Sequence, residues 1–426
     1  MGKLKFSRKI VVSLLILFVL GLSIQTNKIL FYPSSIKIVK GENKNLDISF
    51  PFFLDISQQK ENVVEASYNE AEHIRLKKSY QLNGIDAGEA EMQLKLLGFI
   101  PIKNYNVNVI NRSELIPGGN AIGVRLNTKG VLVVAVTDVI DTKGQRTSPA
   151  RDAGLKVGDS IIEINGTKVQ DAEHVVSILN DIKESSVKIV VQRNKVEFVT
   201  NAKPVQSIQD NCYRLGIWVR DKTSGIGTMT YYNKDTKEFG ALGHGIVDID
   251  TGGLLSVEKG KIMNARISKI EQGKKGTPGE IRGVFYETNN LLGDISINSP
   301  YGIYGTIQEN NLSSIQNKPI PIGFKEEVKT GKAHILTTID DNKIEKFEIE
   351  IVKIQPQLKA DQKSMVVKIT DKRLLDRTGG IVQGMSGSPI IQDDKLIGAI
   401  THVFVNDPTK GYGIYIEWML EQNNKP

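Results

Sequence analysis

The chain has 426 residues, 40% of them hydrophobic and 24% charged. That length calls for two or three cores rather than one, and the balance of apolar and charged residues excludes a disordered or collagen-like chain. Fifty-five Lys and Arg against 48 Asp and Glu leave a net charge of +7, spread without a long basic run. A nucleic-acid footprint therefore has little support, whereas attraction to an anionic membrane surface fits. A single cysteine, Cys212, excludes an intramolecular disulfide.

In chain order, Lys3, Lys5, Arg8 and Lys9 precede an uncharged stretch from Ile10 to Asn27. Residues 1–27 read as a signal sequence or membrane helix with the N-terminus cytoplasmic and the rest exported. Residues 28–112 carry short alternating runs such as Met92, Leu94, Leu96 and Tyr105, Val107, Val109, which predict a β-rich membrane-proximal segment.

Residues 113–205 change pattern. Ile122-Gly123-Val124 is followed by an apolar strand at Val131–Val136. The run Ala153-Gly154-Leu155-Lys156-Val157-Gly158-Asp159 leads into Ile161-Ile162-Glu163-Ile164-Asn165-Gly166. Asn-Gly predicts a tight hairpin turn, and Asp171 predicts the cap of a helix with apolar Val175, Ile178, Leu179 and Ile182. This series resembles a PDZ domain. The resemblance implies a peptide added as a strand, its terminal carboxylate received by backbone amides at Ile122, Gly123 and Val124. His174, near the helix start, is either a reader of a ligand hydroxyl or a solvated surface residue.

Residues 206–426 read as many short strands, among them Ile335–Ile339, Ile344–Ile351, Met365–Ile369, Ile397–Thr401 and Gly413–Ile416, with one late helix from Ile416 to Gln422. That spacing suggests small β-barrels, two of which fit the length. The chemistry concentrates at Gly384-Met385-Ser386-Gly387-Ser388-Pro389. A G-x-S-G turn can aim successive amides at one point beside a projecting hydroxyl, as an oxyanion hole with its nucleophile requires. Serine needs a base, and the histidines are His73, His174, His244, His334 and His402. His244, flanked by glycines about 140 residues before the serine, is the first candidate. His402 is the second, and otherwise lines the substrate groove. No zinc, iron–sulfur or P-loop motif occurs, so neither metal nor cofactor is expected.

Gly240-Ala241-Leu242-Gly243-His244-Gly245, the Gly-Met-Ser-Gly-Ser-Pro turn, Thr401-His402 with Gly411-Tyr412-Gly413, the PDZ-like region and the N-terminal apolar segment together resemble the stage IV sporulation protein B peptidase family of endospore formers. The resemblance covers essentially the whole chain. It implies a mostly β serine endopeptidase with a chymotrypsin-like double β-barrel, exported from the forespore into the space between the two spore membranes. There it would cleave the inhibitory partner of an intramembrane metalloprotease and so trigger processing of the late mother-cell sigma factor. It places His244 as general base, Ser386 as nucleophile, and the amides of Gly384 and Ser386 as oxyanion donors. For the orienting acid it points to Asp371, only 15 residues before the serine. Asp294, in a strand-like context, and Asp376 are the alternatives. Met385 stands where digestive serine proteases carry the aspartate that pairs with a new N-terminus, so regulation is expected elsewhere, with the PDZ region as clamp or substrate reader. The competing reading is a non-catalytic scaffold whose PDZ domain binds peptide tails of membrane proteins.

Overall fold

In the computed structural model the described residues are 35–58, 63–68, 77–183, 185–285, 291–308, 318–340, 343–357 and 359–423. The expected N-terminal helix and His73 lie outside them. Among the described residues no helix is long and apolar enough to cross a membrane. The chain divides into two compact units, residues 1–113 and 114–426.

The first unit is built of strands. One sheet runs Ser35–Val39, Ile100–Ile110, Gly88–Leu96, Phe52–Gln58, and a second runs Asn43–Ser49, Lys77–Gly84, Val64–Tyr68. The alternation of Met92 and Leu94, and of Tyr105, Val107 and Val109, turns those side chains into one core with Ile36, Ile38 and Leu82, as period two requires.

In the second unit six strands form a closed barrel, in the order Gly331–Asp340, Lys343–Ile354, Met365–Ile369, Lys410–Tyr415, Lys395–Val403, Pro389–Gln392. Beside it, a ring of pairings starts at Ala121–Val136. It passes through Val257–Asn264, Leu291–Ser299, Gly302–Ile307 and Glu238–Ala241 to Ile217–Tyr232, which pairs back onto Ala121–Val136. Ile122, Val124, Leu126, Phe239, Ile262, Leu292 and Ile303 share the core belonging to this ring.

The two longest strands, Ala121–Val136 and Ile217–Tyr232, pair from Ile217 with Val136 to Thr228 with Ala121. Their far ends belong to a smaller module. There Val131 pairs with Ile161, and the sheet continues through Ser160–Ile164, Val187–Arg193 and Val196–Ala202. Asn165 and Gly166, at φ 48° and 81°, make the tight turn. The Asp171 carboxylate accepts from the His174 amide at 2.8 Å, capping helix Ala172–Ile182. Val175, Ile178 and Leu179 pack that helix onto Val187, Ile189 and Val191. The smaller module is thus inserted between two strands of the ring, so a boundary drawn at 205/206 cuts through one continuous sheet.

That arrangement corrects one expectation. Ile122, Gly123 and Val124 are not a loop with free amides. They lie near the start of strand Ala121–Val136, flanked by strands on both sides, with Gly123 opposite both Ile226 and Met263, and a Cβ on Gly123 would stand 2.2 Å from the Phe285 ring. The residues beside the helix are Leu215-Gly216-Ile217. The Tyr213 amide donates to the Asn180 side chain at 3.0 Å, and the Ala172 amide donates to Asp221 at 3.4 Å. The strand between these points therefore runs along the helix. Leu215 is 1% exposed in the helix's own core. Among the described residues no group accepts from the amides of Leu215 and Gly216, whose carbonyls receive the amides of Ala150 and Thr137.

Candidate active site

His244 follows the ring strand Glu238–Ala241, and Ser386 precedes the barrel strand Pro389–Gln392. They meet in one cleft of about 460 Å³, walled also by Val124, Ile226, Val382, Thr401 and His402. Leu242 and Gly243 both adopt positive φ, at 70° and 69°, turning the chain sharply out of the strand and into the cleft.

The His244 ring lies mostly out of solvent, and burial holds its imidazole below the usual histidine range, although its hydrogen bond to the Gly245 carbonyl acts the other way. That bond is 2.9 Å from Nδ1. A carbonyl can only accept, so Nδ1 carries the proton and Nε2 keeps its lone pair. The neutral ring is thereby fixed in the tautomer a general base needs. His402 stacks obliquely on it, ring centroids 5.1 Å apart. Desolvation, then His244 and the Lys363 ammonium, also hold His402 below the ordinary value. Both rings are therefore neutral at pH 7.

The Ser386 loop is tightly constrained. Gly384 and Gly387 have φ of 98° and 96°, and a Cβ on Gly387 would stand 2.0 Å from the Thr228 carbonyl. Ser386 Oγ donates to the Thr401 carbonyl at 2.8 Å. The amides of Gly384 and Ser386 donate to no group among the described residues, while the Gly387 amide is held by the Ile400 carbonyl at 2.8 Å. Two unsatisfied donors flanking a serine hydroxyl are what an oxyanion hole requires.

The sequence-derived carboxylates are not gathered here. Asp371 caps helix Lys372–Thr378, accepting from the Arg373 amide at 3.0 Å and from its guanidinium at 2.8 Å. Arg373 Nε and the Glu348 amide add bonds at 3.2 and 3.3 Å, and the Arg373 side chain foremost holds this carboxyl below its usual range. Asp294 is exposed on strand Leu291–Ser299, and Asp376 is exposed on the short helix. None of the three hydrogen-bonds either imidazole. At His244 Nδ1 the backbone carbonyl of Gly245 takes the place where a triad acid would stand. His334 lines a separate cavity with Glu348 and Asp394. His174 Nδ1 accepts from the Gln170 amide at 3.3 Å, within its own helix cap. No cluster of metal-binding side chains occurs among the described residues.

Residues 211–420 match the family described as SpoIVB peptidase S55. Residues 211–420 thus form a domain of that family of serine peptidases. Residues 140–193 match a PDZ domain, coinciding with the inserted module. The chain is also similar to a putative zinc metalloprotease, LL2128, of Lactococcus lactis, 34% identical over 86 residues, which is 20% of each protein. Among solved structures it is similar to the Rv3671c protease of M. tuberculosis in its active form, at 11% identity and a TM-score of 0.28, covering 60% of this chain and 86% of that one. The HtrA-type protease AlgW with decapeptide is similar at 11% identity and a TM-score of 0.28, covering 47% of this chain and 52% of that one. These structural likenesses are too slight to bear on the site, whose assignment rests on its own geometry and on the S55 match.

Proposed function

We propose that this S55 peptidase is a serine endopeptidase working through a His244–Ser386 pair in a chymotrypsin-like double barrel, the ring and the closed barrel each supplying one member. The single observation that carries this reading is the pair of unsatisfied amides at Gly384 and Ser386, beside a hydroxyl and a neutral imidazole in one cleft. Rotation of Ser386 Oγ away from Thr401 brings its proton to His244 Nε2. The oxygen then bonds to the scissile carbonyl carbon, and the resulting oxyanion is received by the two amides. The C–N bond breaks as the imidazolium gives its proton to the leaving amine; water, deprotonated by the same imidazole, then adds to the acyl carbon, and the C–Oγ bond breaks as the imidazolium returns that proton to Ser386.

The family resemblance supports a place outside the cytoplasm at the forespore membranes. The substrate there would be an extended segment of a membrane protein that inhibits an intramembrane metalloprotease, with late sigma factor processing downstream. The PDZ module serves as the reader of a peptide end. Its receiving amides are those of Leu215 and Gly216, and the peptide lies between Ile217–Val219 and helix Ala172–Ile182. The test is labelling of the full chain with a rhodamine fluorophosphonate, which marks an activated serine without knowledge of the substrate. Label on the wild type and none on Ser386→Ala is the expected result. An unlabelled wild type would favour the scaffold reading.

A further inference from the structure

Four successive peptide planes from Gln383 to Gly387 are each held by their carbonyl. The Gln383 carbonyl receives the Ile281 amide at 2.8 Å, and the Ser386 carbonyl receives the Thr228 amide at 2.9 Å. Between them, the Gly384 carbonyl receives the Thr228 hydroxyl at 2.7 Å, and the Met385 carbonyl receives both the Ser388 hydroxyl at 2.7 Å and the Ser388 amide at 3.0 Å. In a trans peptide the N–H points opposite its carbonyl. Anchoring the carbonyls of Gln383 and Met385 therefore aims the amides of Gly384 and Ser386. Anchoring the Gly384 carbonyl keeps an oxygen from turning toward the place where the oxyanion forms. Backbone amides hold three of these carbonyls, the Met385 one with the Ser388 hydroxyl as a second donor, while the Gly384 carbonyl depends on the Thr228 side chain alone. Those side chains are buried, Thr228 being 2% exposed and Ser388 0%.

We propose that Thr228 and Ser388 are positioning residues of the peptidase, their hydroxyls setting the oxyanion amides before substrate arrives. Neither touches the reacting atoms. Thr228 sits twelve residues into the strand that also borders the PDZ helix, far in sequence from the loop it holds. The inference rests on the peptidase reading above, and its test separates the two.

The full chain is labelled with a rhodamine fluorophosphonate, whose phosphonyl oxygen occupies the oxyanion position, and the maximal rate of modification is resolved from half-saturation. Thr228→Val, which keeps shape and loses the hydroxyl, is expected to lower the maximal rate by ~10- to 100-fold with half-saturation little changed, the scale of a small misplacement of catalytic groups. Thr228→Ser recovers most of that rate, and Ser388→Ala, whose backbone amide still holds the Met385 carbonyl, gives a smaller loss of the same kind. Wild-type rates in both Thr228→Val and Ser388→Ala overturn the proposal while leaving the peptidase reading intact. So does a Thr228→Ser variant as slow as Thr228→Val, or a loss confined to half-saturation. If Thr228→Val fails to fold, as its melting transition reports, Ser388→Ala decides alone. An unlabelled wild type overturns the peptidase reading itself, and this proposal with it.

Discussion

The Ser386 hydroxyl donates to the carbonyl of Thr401 rather than to the imidazole of His244, although both residues wall the same cleft. The serine is thus held by a neighbouring strand at rest. His402, the next residue, presents its ring against His244. The base is therefore boxed between a carbonyl that fixes its proton and a second imidazole that shields its face.

Removing the base should be far more costly than removing its neighbour. His244→Ala is expected to lower the fluorophosphonate labelling rate by ~10⁴-fold or more, as for loss of a base acting with its serine. His402→Ala should cost no more than ~10-fold. Time courses of gel fluorescence for the two variants provide the comparison, and equal losses would mean that the roles are shared or exchanged.

Asp371 offers a direct contest between family expectation and geometry. Its carboxylate is a helix cap bonded to Arg373 and the Glu348 amide, so Asp371→Ala should destabilise by ~1 kcal/mol and lower the melting temperature, with labelling at close to the wild-type rate. A thousandfold slower reaction in a variant that is still folded would return Asp371 to the catalytic machinery.

The acid limb of the labelling rate should lie below the ordinary histidine value of 6.5, because burial lowers the His244 pKa. The rate depends on the neutral imidazole, so it rises with pH through that lowered value and is flat from pH 7 to 8. The same shift sets a sign for stability. The unfolded chain takes up the His244 proton more readily than the folded one, so this contribution is present above pH ~6.5 and is lost as pH falls toward the folded value. A profile still climbing above pH 7 would contradict this placement of the base.

Gly387→Ala should disable the loop by sterics alone. At φ 96°, with the Thr228 carbonyl 2.0 Å and the Leu242 amide 2.5 Å from the new Cβ, either the left-handed turn or the strand pairing behind it has to move. A loss of at least ~2 kcal/mol of stability and of nearly all labelling is expected, read by thermal denaturation and gel fluorescence. Near-normal labelling would show that the loop has a second workable conformation.

Local signals proved legible where local physics decides. The Asn165-Gly166 turn, the Asp171 cap, strand Met365–Ile369 and the terminal helix starting at Ile416 all stand where their residues place them. The G-x-S-G turn likewise announces its exposed amides, because glycine at positive φ is what such a loop needs. The departures from expectation have separate causes. Ile122-Gly123-Val124 and Leu215-Gly216-Ile217 are the same apolar-Gly-apolar pattern, and only pairing between strands far apart in the chain decides which one ends up beside the PDZ helix. Asp371 looks near to Ser386 along the chain, yet it opens a helix whose first turn and Arg373 claim its oxygens. The Thr228 contact had no sequence signal, since a threonine within a strand-like run reads as ordinary β surface.

Strand Ile217–Tyr232 has a mechanical consequence. The insert is not strung to the enzyme on a tether but grows from two staves of its wall, so a chain trimmed of residues 137–216 would leave the far ends of those staves without the sheet they continue into. A peptide seated along the first staves of this wall would lean on the same backbone that, eleven residues after Ile217, grips the carbonyl of Ser386. The PDZ module and the Ser386 loop thus share one strand, with breaks of register at Trp218–Val219 and Arg220–Lys222 between them.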